Sequence, residues 1–163
     1  NKINTKDLVQ KIERLTKERM SKSDVVGLDD IRRLKERKVQ RSILVIEDDE
    51  TIRAALRRMF ESEGYRVLAA ADGTQLSSVL DDAPVDLIVL DVGLPWINGF
   101  ELAEMMKANA DLKDIPLVFL SARTADADVK RGFEVGASDY IKKPFDIEKV
   151  KRTVNTLIHL VHE

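Results

Sequence analysis

From Ile43 to Val161 the chain changes its hydrophobic period again and again, and few architectures accept that pattern. Residues 43–46, 65–70, 85–90 and 116–120 are short, nearly continuous apolar runs, and residues 138–141 read as a fifth strand. Such runs suit strands covered on both faces. Between and after them the apolar residues recur at helical spacing: Ile52, Leu56, Met59 and Phe60; residues 76–80; Phe100, Leu102, Ala103 and Met106; residues 125–135; then Ile147, Val150, Val154, Leu157, Ile158 and Val161. Strand–helix units in series imply right-handed crossovers and a parallel sheet. The expected class is therefore α/β, a doubly wound five-stranded parallel sheet with helices on both faces. Ligands of such sheets bind beyond the carboxyl ends of the strands.

Charge divides the chain. Residues 1–42 hold 13 Lys/Arg against 7 Asp/Glu, whereas residues 43–163 hold 14 against 22. With the change of period, this places a boundary at 41–42: a basic helical extension over residues 1–41 and a domain over residues 42–163. In the extension Leu8, Ile12 and Leu15 share one helical face, with Asn4 as N-cap and Asp7 in the first turn. Residues 21–24 and Gly27 read as a break, and Ile31 and Leu34 mark a second helical stretch to about Val39. The apolar pattern fails at Arg19 and Lys22, which argues against a long coiled coil. A solvated linker pair, a dimerising stalk and a helix-turn-helix DNA reader all remain open for this segment. The absence of cysteine removes disulfides, thiol nucleophiles and thiolate metal sites. No apolar stretch approaches the roughly 20 residues of a membrane helix, and no leader pattern opens the chain. Asn stands first, consistent with an excised piece, and a cytoplasmic setting is expected.

The polar residues gather where the fold would want a site. Glu47, Asp48 and Asp49 follow the first strand, Asp91 ends the third, Ser121 ends the fourth, and Lys143 follows the fifth, before Pro144. Folding would bring them to one rim. Crowded carboxylates repel unless a cation neutralises them, and an oxygen-only cluster favours Mg²⁺ or Mn²⁺. A carboxylate there can attack phosphorus and form an acyl phosphate, with the metal, an ammonium and a hydroxyl drawing charge off the phosphoryl oxygens. Taken singly, each residue has a plainer reading: Asp48 and Asp49 as caps of the first helix, Asp91 as a turn residue, Ser121 as a cap of the fourth helix, Lys143 as an exposed lysine. Their joint placement at successive strand ends favours the site.

Five separated motifs carry a resemblance: Ile-Leu-Val-Ile-Glu-Asp-Asp-Glu at 43–50, Asp-Leu-Ile-Val-Leu-Asp-Val-Gly-Leu-Pro at 86–95, Asn-Gly-Phe-Glu-Leu at 98–102, Pro-Leu-Val-Phe-Leu-Ser-Ala at 116–122, and Gly-Ala-Ser-Asp-Tyr-Ile-Lys-Lys-Pro-Phe at 136–145. Residues 42–161 resemble the CheY-like receiver domain of two-component response regulators and hybrid histidine kinases. The resemblance implies Asp91 as phosphoacceptor. It implies Asp48, Asp49, Asp91 and the backbone carbonyl of Gly93 as ligands of Mg²⁺. Ser121 and Lys143 would hold phosphoryl oxygens, Lys143 across a cis bond to Pro144, and Tyr140 would turn inward with Ser121 as the switch. Gly93 and Arg123 fall at positions that tune hydrolysis. Gly93 has no side chain to place a water, which implies slow self-dephosphorylation. Trp96 replaces a polar or small loop residue and Asn98 a frequent Asp. Lys149 and Thr153 depart from the Glu and Arg of the winged-helix subfamily's dimer face.

The implied function is a phosphoacceptor switch with no catalysis beyond its own phosphorylation and hydrolysis. Its implied partner is a histidine kinase or histidine phosphotransfer protein. A homodimer would form through residues 1–41 or through the face of the fourth and fifth helices. No membrane segment and no nucleic-acid contact are expected. The competing readings are a haloacid-dehalogenase-like phosphohydrolase, which needs a second Asp where Gly93 stands, and a DNA-binding regulator acting through the basic segment.

Overall fold

The computed structural model describes residues 7–12, 39–82 and 84–162. The expected Asn4 cap, Leu15, the break at 21–27 and the second helical stretch at Ile31 and Leu34 lie outside these residues. The elements are β1 (Ser42–Ile46), α1 (Glu50–Ser62), β2 (Arg66–Ala70), α2 (Gly73–Asp82), β3 (Leu87–Leu90), α3 (Gly99–Lys107), β4 (Leu117–Ser121), α4 (Asp126–Glu134), β5 (Asp139–Lys142) and α5 (Ile147–His162). A helical turn at residues 7–12 precedes them.

All strand pairs are parallel, in the order β2-β1-β3-β4-β5. Chain order therefore reverses between β1 and β3, and a crevice opens beyond their carboxyl ends. The central strands are buried throughout, so their sequences run apolar instead of alternating. Side chains still point alternately to the two faces. Ile43 and Val45 pack with Leu56, Met59 and Phe60 of α1 and with Val150, Val154 and Ile158 of α5. Leu44 and Ile46 pack with Leu76 and Leu80 of α2 and with Phe100, Leu102, Ala103 and Met106 of α3.

Leu8 and Ile12 belong to this second core, at 1% and 3% exposure. Lys11 on the same turn pairs with Asp81 of α2. The shared face of Leu8 and Ile12 is thus covered by the chain's own α/β core.

Glycine shapes the rim at one close approach. A Cβ on Gly99 would lie 2.4 Å from the carbonyl oxygen of Asp91 and 2.6 Å from Val92 Cα. Only glycine lets α3 start against the exit of β3, where Gly99 N–H donates to Val92 O at 2.9 Å.

Candidate functional site

Strand ends and helix starts place the polar residues. β1 ends at Ile46, and the chain must turn into α1 within three residues. Asp49 is the N-cap of α1: its carboxylate accepts the N–H of Ile52 at 3.0 Å. Helix N-termini leave orphan N–H groups, and this carboxylate satisfies one of them. Asp49 is therefore turned to the helix. The carboxylates that meet are those of Glu47, Asp48 and Asp91, whose oxygens lie within 4.8 Å of one another. Of the expected pair, the structure brings Asp48 to Asp91 and adds Glu47, while the Asp49 carboxylate caps α1.

Lys143, carried past β5 to the cis Lys143–Pro144 bond, reaches across the rim. Its Nζ donates to Glu47 Oε2 at 2.8 Å and lies 3.5 Å from Asp91 Oδ2. Asp91 Oδ1 accepts the N–H of Gly93 at 3.2 Å. Glu47 and Asp91 are buried, at 2% and 7% exposure, while Asp48 is exposed. Burial pushes the Glu47 carboxyl above its ordinary range and Asp91 adds to this, while Lys143 pulls the other way. Burial works against the Lys143 ammonium too, but Glu47 and Asp91 outweigh it and hold its pKa above the usual lysine value. Three carboxylates facing one ammonium leave the pocket short of positive charge.

Ser121 is buried at the end of β4, and its Oγ accepts the N–H of Arg123 at 3.1 Å. Helix α4 starts after Ala125, so Ser121 does not cap it. Tyr140 lies inward at 6% exposure, and its hydroxyl donates to Arg123 O at 2.5 Å. The backbone of Arg123 thus touches both Ser121 and Tyr140. The Tyr140 ring packs on Phe119, centroids 5.7 Å apart. It also lies against Gly132, where a Cβ would come within 2.6 Å of Tyr140 Cδ2. The Arg123 side chain pairs with Asp128 at 3.5 Å. Gly93 is exposed, and a Cβ there would meet nothing within 4 Å.

Sequence reasoning placed Glu47 at the rim without singling it out, and it missed Arg53. Glu47 looked like one acid among three, and the signal that separates it from Asp49 is the cap position three residues before Ile52. Arg53 gave no sign: one guanidinium nitrogen donates to Glu47 O at 3.0 Å and to Asp48 O at 3.1 Å. A polar nitrogen, Trp96 Nε1, is buried near the rim without a partner.

Known proteins are similar to this chain. The chain is 43% identical over 106 residues to the transcriptional regulatory protein YvrH of Bacillus subtilis, covering 64% of this chain and 44% of that one. The signal receiver domain of a histidine kinase from Syntrophus aciditrophicus superposes with TM-score 0.68 at 31% identity, covering 75% of this chain and 92% of that domain. The receiver domain of the sensor histidine kinase PA1611 from Pseudomonas aeruginosa, solved with a magnesium ion coordinated in its active site cleft, gives TM-score 0.66 at 27% identity, with 74% and 99% coverage. The family model of the response regulator receiver domain matches residues 43–155. That match takes in well over half of the chain, which therefore belongs to the response regulator receiver domain family.

Proposed function

We propose that Asp91 accepts a phosphoryl group from a histidine kinase or a histidine phosphotransfer protein, and that the product biases the Ser121–Tyr140 pair between two states. The observation that carries this is the position of Lys143 Nζ, 2.8 Å from Glu47 Oε2 and 3.5 Å from Asp91 Oδ2, at a rim where three carboxylates converge.

The donor set fits Mg²⁺ or Mn²⁺: oxygen atoms only, from Glu47, Asp48 and Asp91. Those side chains and the Gly93 carbonyl would hold the ion. Bound there, it supplies positive charge against the phosphoryl oxygens in the transition state. A carboxylate oxygen of Asp91 forms a bond to phosphorus as the phosphorus–nitrogen bond of the donor phosphohistidine breaks. The imidazole leaves with its electron pair and takes a proton from solvent. Lys143, whose pKa is held high by Glu47 and Asp91, keeps its ammonium and pairs with a phosphoryl oxygen. Ser121 Oγ turns from the Arg123 N–H to donate to another. That movement pulls on the peptide segment holding the Tyr140 hydroxyl, so charge at Asp91 reaches α4 and β5 through a two-state aromatic.

The test is phosphoryl uptake from acetyl phosphate with Mg²⁺. Wild type should be labelled and Asp91→Asn should not; labelling that survives Asp91→Asn refutes the assignment. The phosphohydrolase reading wants an acid two residues after Asp91, where Gly93 stands, so p-nitrophenyl phosphate should not turn over. Beryllofluoride with Mg²⁺ should perturb the fluorescence of Trp96, the single tryptophan.

The output belongs to whatever this receiver is coupled to. YvrH is a transcriptional regulator by name, and this chain spans 44% of its length. Of the two candidate dimer faces, α4/α5 is favoured: Phe133 and Ile147 are 46% and 53% exposed, whereas Leu8 and Ile12 are buried. No helix among the described residues is long and apolar enough to cross a membrane. A bacterial cytoplasmic setting completes the proposal.

A further inference from the structure

We infer that Arg53 is a positioning residue for the acidic pocket: by holding the carbonyls of Glu47 and Asp48 together, it aims their carboxylates at Asp91 and sets the pocket's affinity for a divalent cation. The inference rests on the pocket being the cation site proposed above.

The backbone between β1 and α1 creates the need. Asp91 N–H still bonds to Ile46 O, and Glu47 N–H to Ala70 O, both at 3.1 Å. The sheet ladder then ends, and the helix begins with Arg53 N–H donating to Asp49 O at 2.9 Å. The carbonyls of Glu47 and Asp48 fall between these two systems and need a donor from elsewhere. Arg53 stands in the first turn of α1, and helical side chains lean toward the N-terminus of their helix. That direction carries its guanidinium back to the strand exit. One nitrogen then meets both carbonyls, at 3.0 and 3.1 Å.

Two successive carbonyls drawn to one point fix both peptide planes, and with them the Cα–Cβ directions of Glu47 and Asp48. Glu47 receives a second constraint, since its Oε1 accepts the N–H of Asp49 at 3.2 Å. Among the described residues the Arg53 guanidinium has no carboxylate within ion-pairing distance, so its contacts are those of a backbone clamp. Its charge alone would oppose a cation in the pocket, so weaker binding on its removal reports orientation. Arginine presents several donors on one rigid plane, whereas lysine offers a flexible point charge.

The experiment is Mg²⁺ titration by calorimetry of the 163-residue chain, its Arg53→Gln and Arg53→Lys variants, and Asp48→Asn, with urea unfolding of each in metal-free buffer. Arg53→Gln should bind Mg²⁺ about ten-fold or more weakly, the usual range for partners that orient metal ligands, and Arg53→Lys should fall between it and wild type. Metal-free unfolding midpoints should shift little, and phosphoryl uptake by Arg53→Gln should recover as Mg²⁺ is raised. If wild type and Arg53→Gln bind with equal affinity while Asp48→Asn does not bind, the clamp is overturned and the pocket stands. If wild type binds no Mg²⁺, both are overturned. Should Arg53→Gln fail to fold, Arg53→Lys decides, and full wild-type affinity in that variant overturns the orientation argument.

Discussion

Gly93 follows Asp91 by two residues and opens onto empty space, so a side chain can be added there without disturbing the fold. Gly93→Asn should shed its phosphoryl group faster than wild type, because the amide can orient a water toward phosphorus. Time courses of radiolabel loss in Mg²⁺ check this, and a wild-type half-life of seconds would contradict the slow hydrolysis expected of glycine. The two tyrosines carry a pH prediction. Burial, with Glu63, holds the Tyr65 phenol above its ordinary value of 10.0. Burial does the same for Tyr140, reinforced by Asp128 and opposed by its contact with Ser121. A raised folded pKa contributes stability that is present below the unfolded value of about 10 and lost as pH climbs through the folded one. Phenolate absorbance should therefore rise at higher pH in native protein than in urea, and superimposable titrations would refute it. Residue roles were only partly legible in sequence. Asp91, Ser121 and Lys143 end or follow strands, and the topology alone gathers them. Which two acids meet Asp91 was not legible, because a helix cap and a cluster member are both carboxylates at a strand-to-helix turn. Arg53 was hidden because its partners are carbonyls, which no sequence pattern advertises.

The strands were legible as elements because a parallel sheet sandwiched between helices excludes water from both faces, leaving β1, β3 and β4 almost wholly apolar. Their edges shifted by a residue or more: Ser42 begins β1 and Ser121 ends β4, polar residues that the ladder admits when their side chains find partners or reach the rim. Helix α3 shows how an element's starting point serves the site. Gly99→Ala would force a methyl group onto the carbonyl of Asp91, 2.4 Å away, and drive α3 from the strand end. Such overpacking should cost about 1–3 kcal/mol. Urea denaturation measures the loss, and phosphoryl uptake should fall with it even in the folded fraction, since the acceptor's own backbone moves. An unchanged midpoint would show that α3 has slack the distances do not suggest.

At the scale of the whole molecule, a cation bound by the folded pocket alone should stabilise the chain by mass action, about 2.7 kcal/mol at one hundred times the dissociation constant. The melting temperature should rise with Mg²⁺ in wild type and stay fixed in Asp48→Asn. The segment before the sheet carries its own expectation. Its apolar spacing was visible in sequence, but a periodic face does not reveal what covers it, and linker, stalk and DNA reader all fitted. Leu8 and Ile12 are buried among the residues of the second core, so Leu8→Ala should cost about 2 kcal/mol or more in urea unfolding of the 163-residue chain. A negligible cost would mean the turn is not seated as described. That turn is fastened sideways, through Leu8, Ile12 and the pairing of Lys11 with Asp81, so side chains make its seat on the sheet domain. Replacing both Leu8 and Ile12 with polar residues would therefore unlatch it.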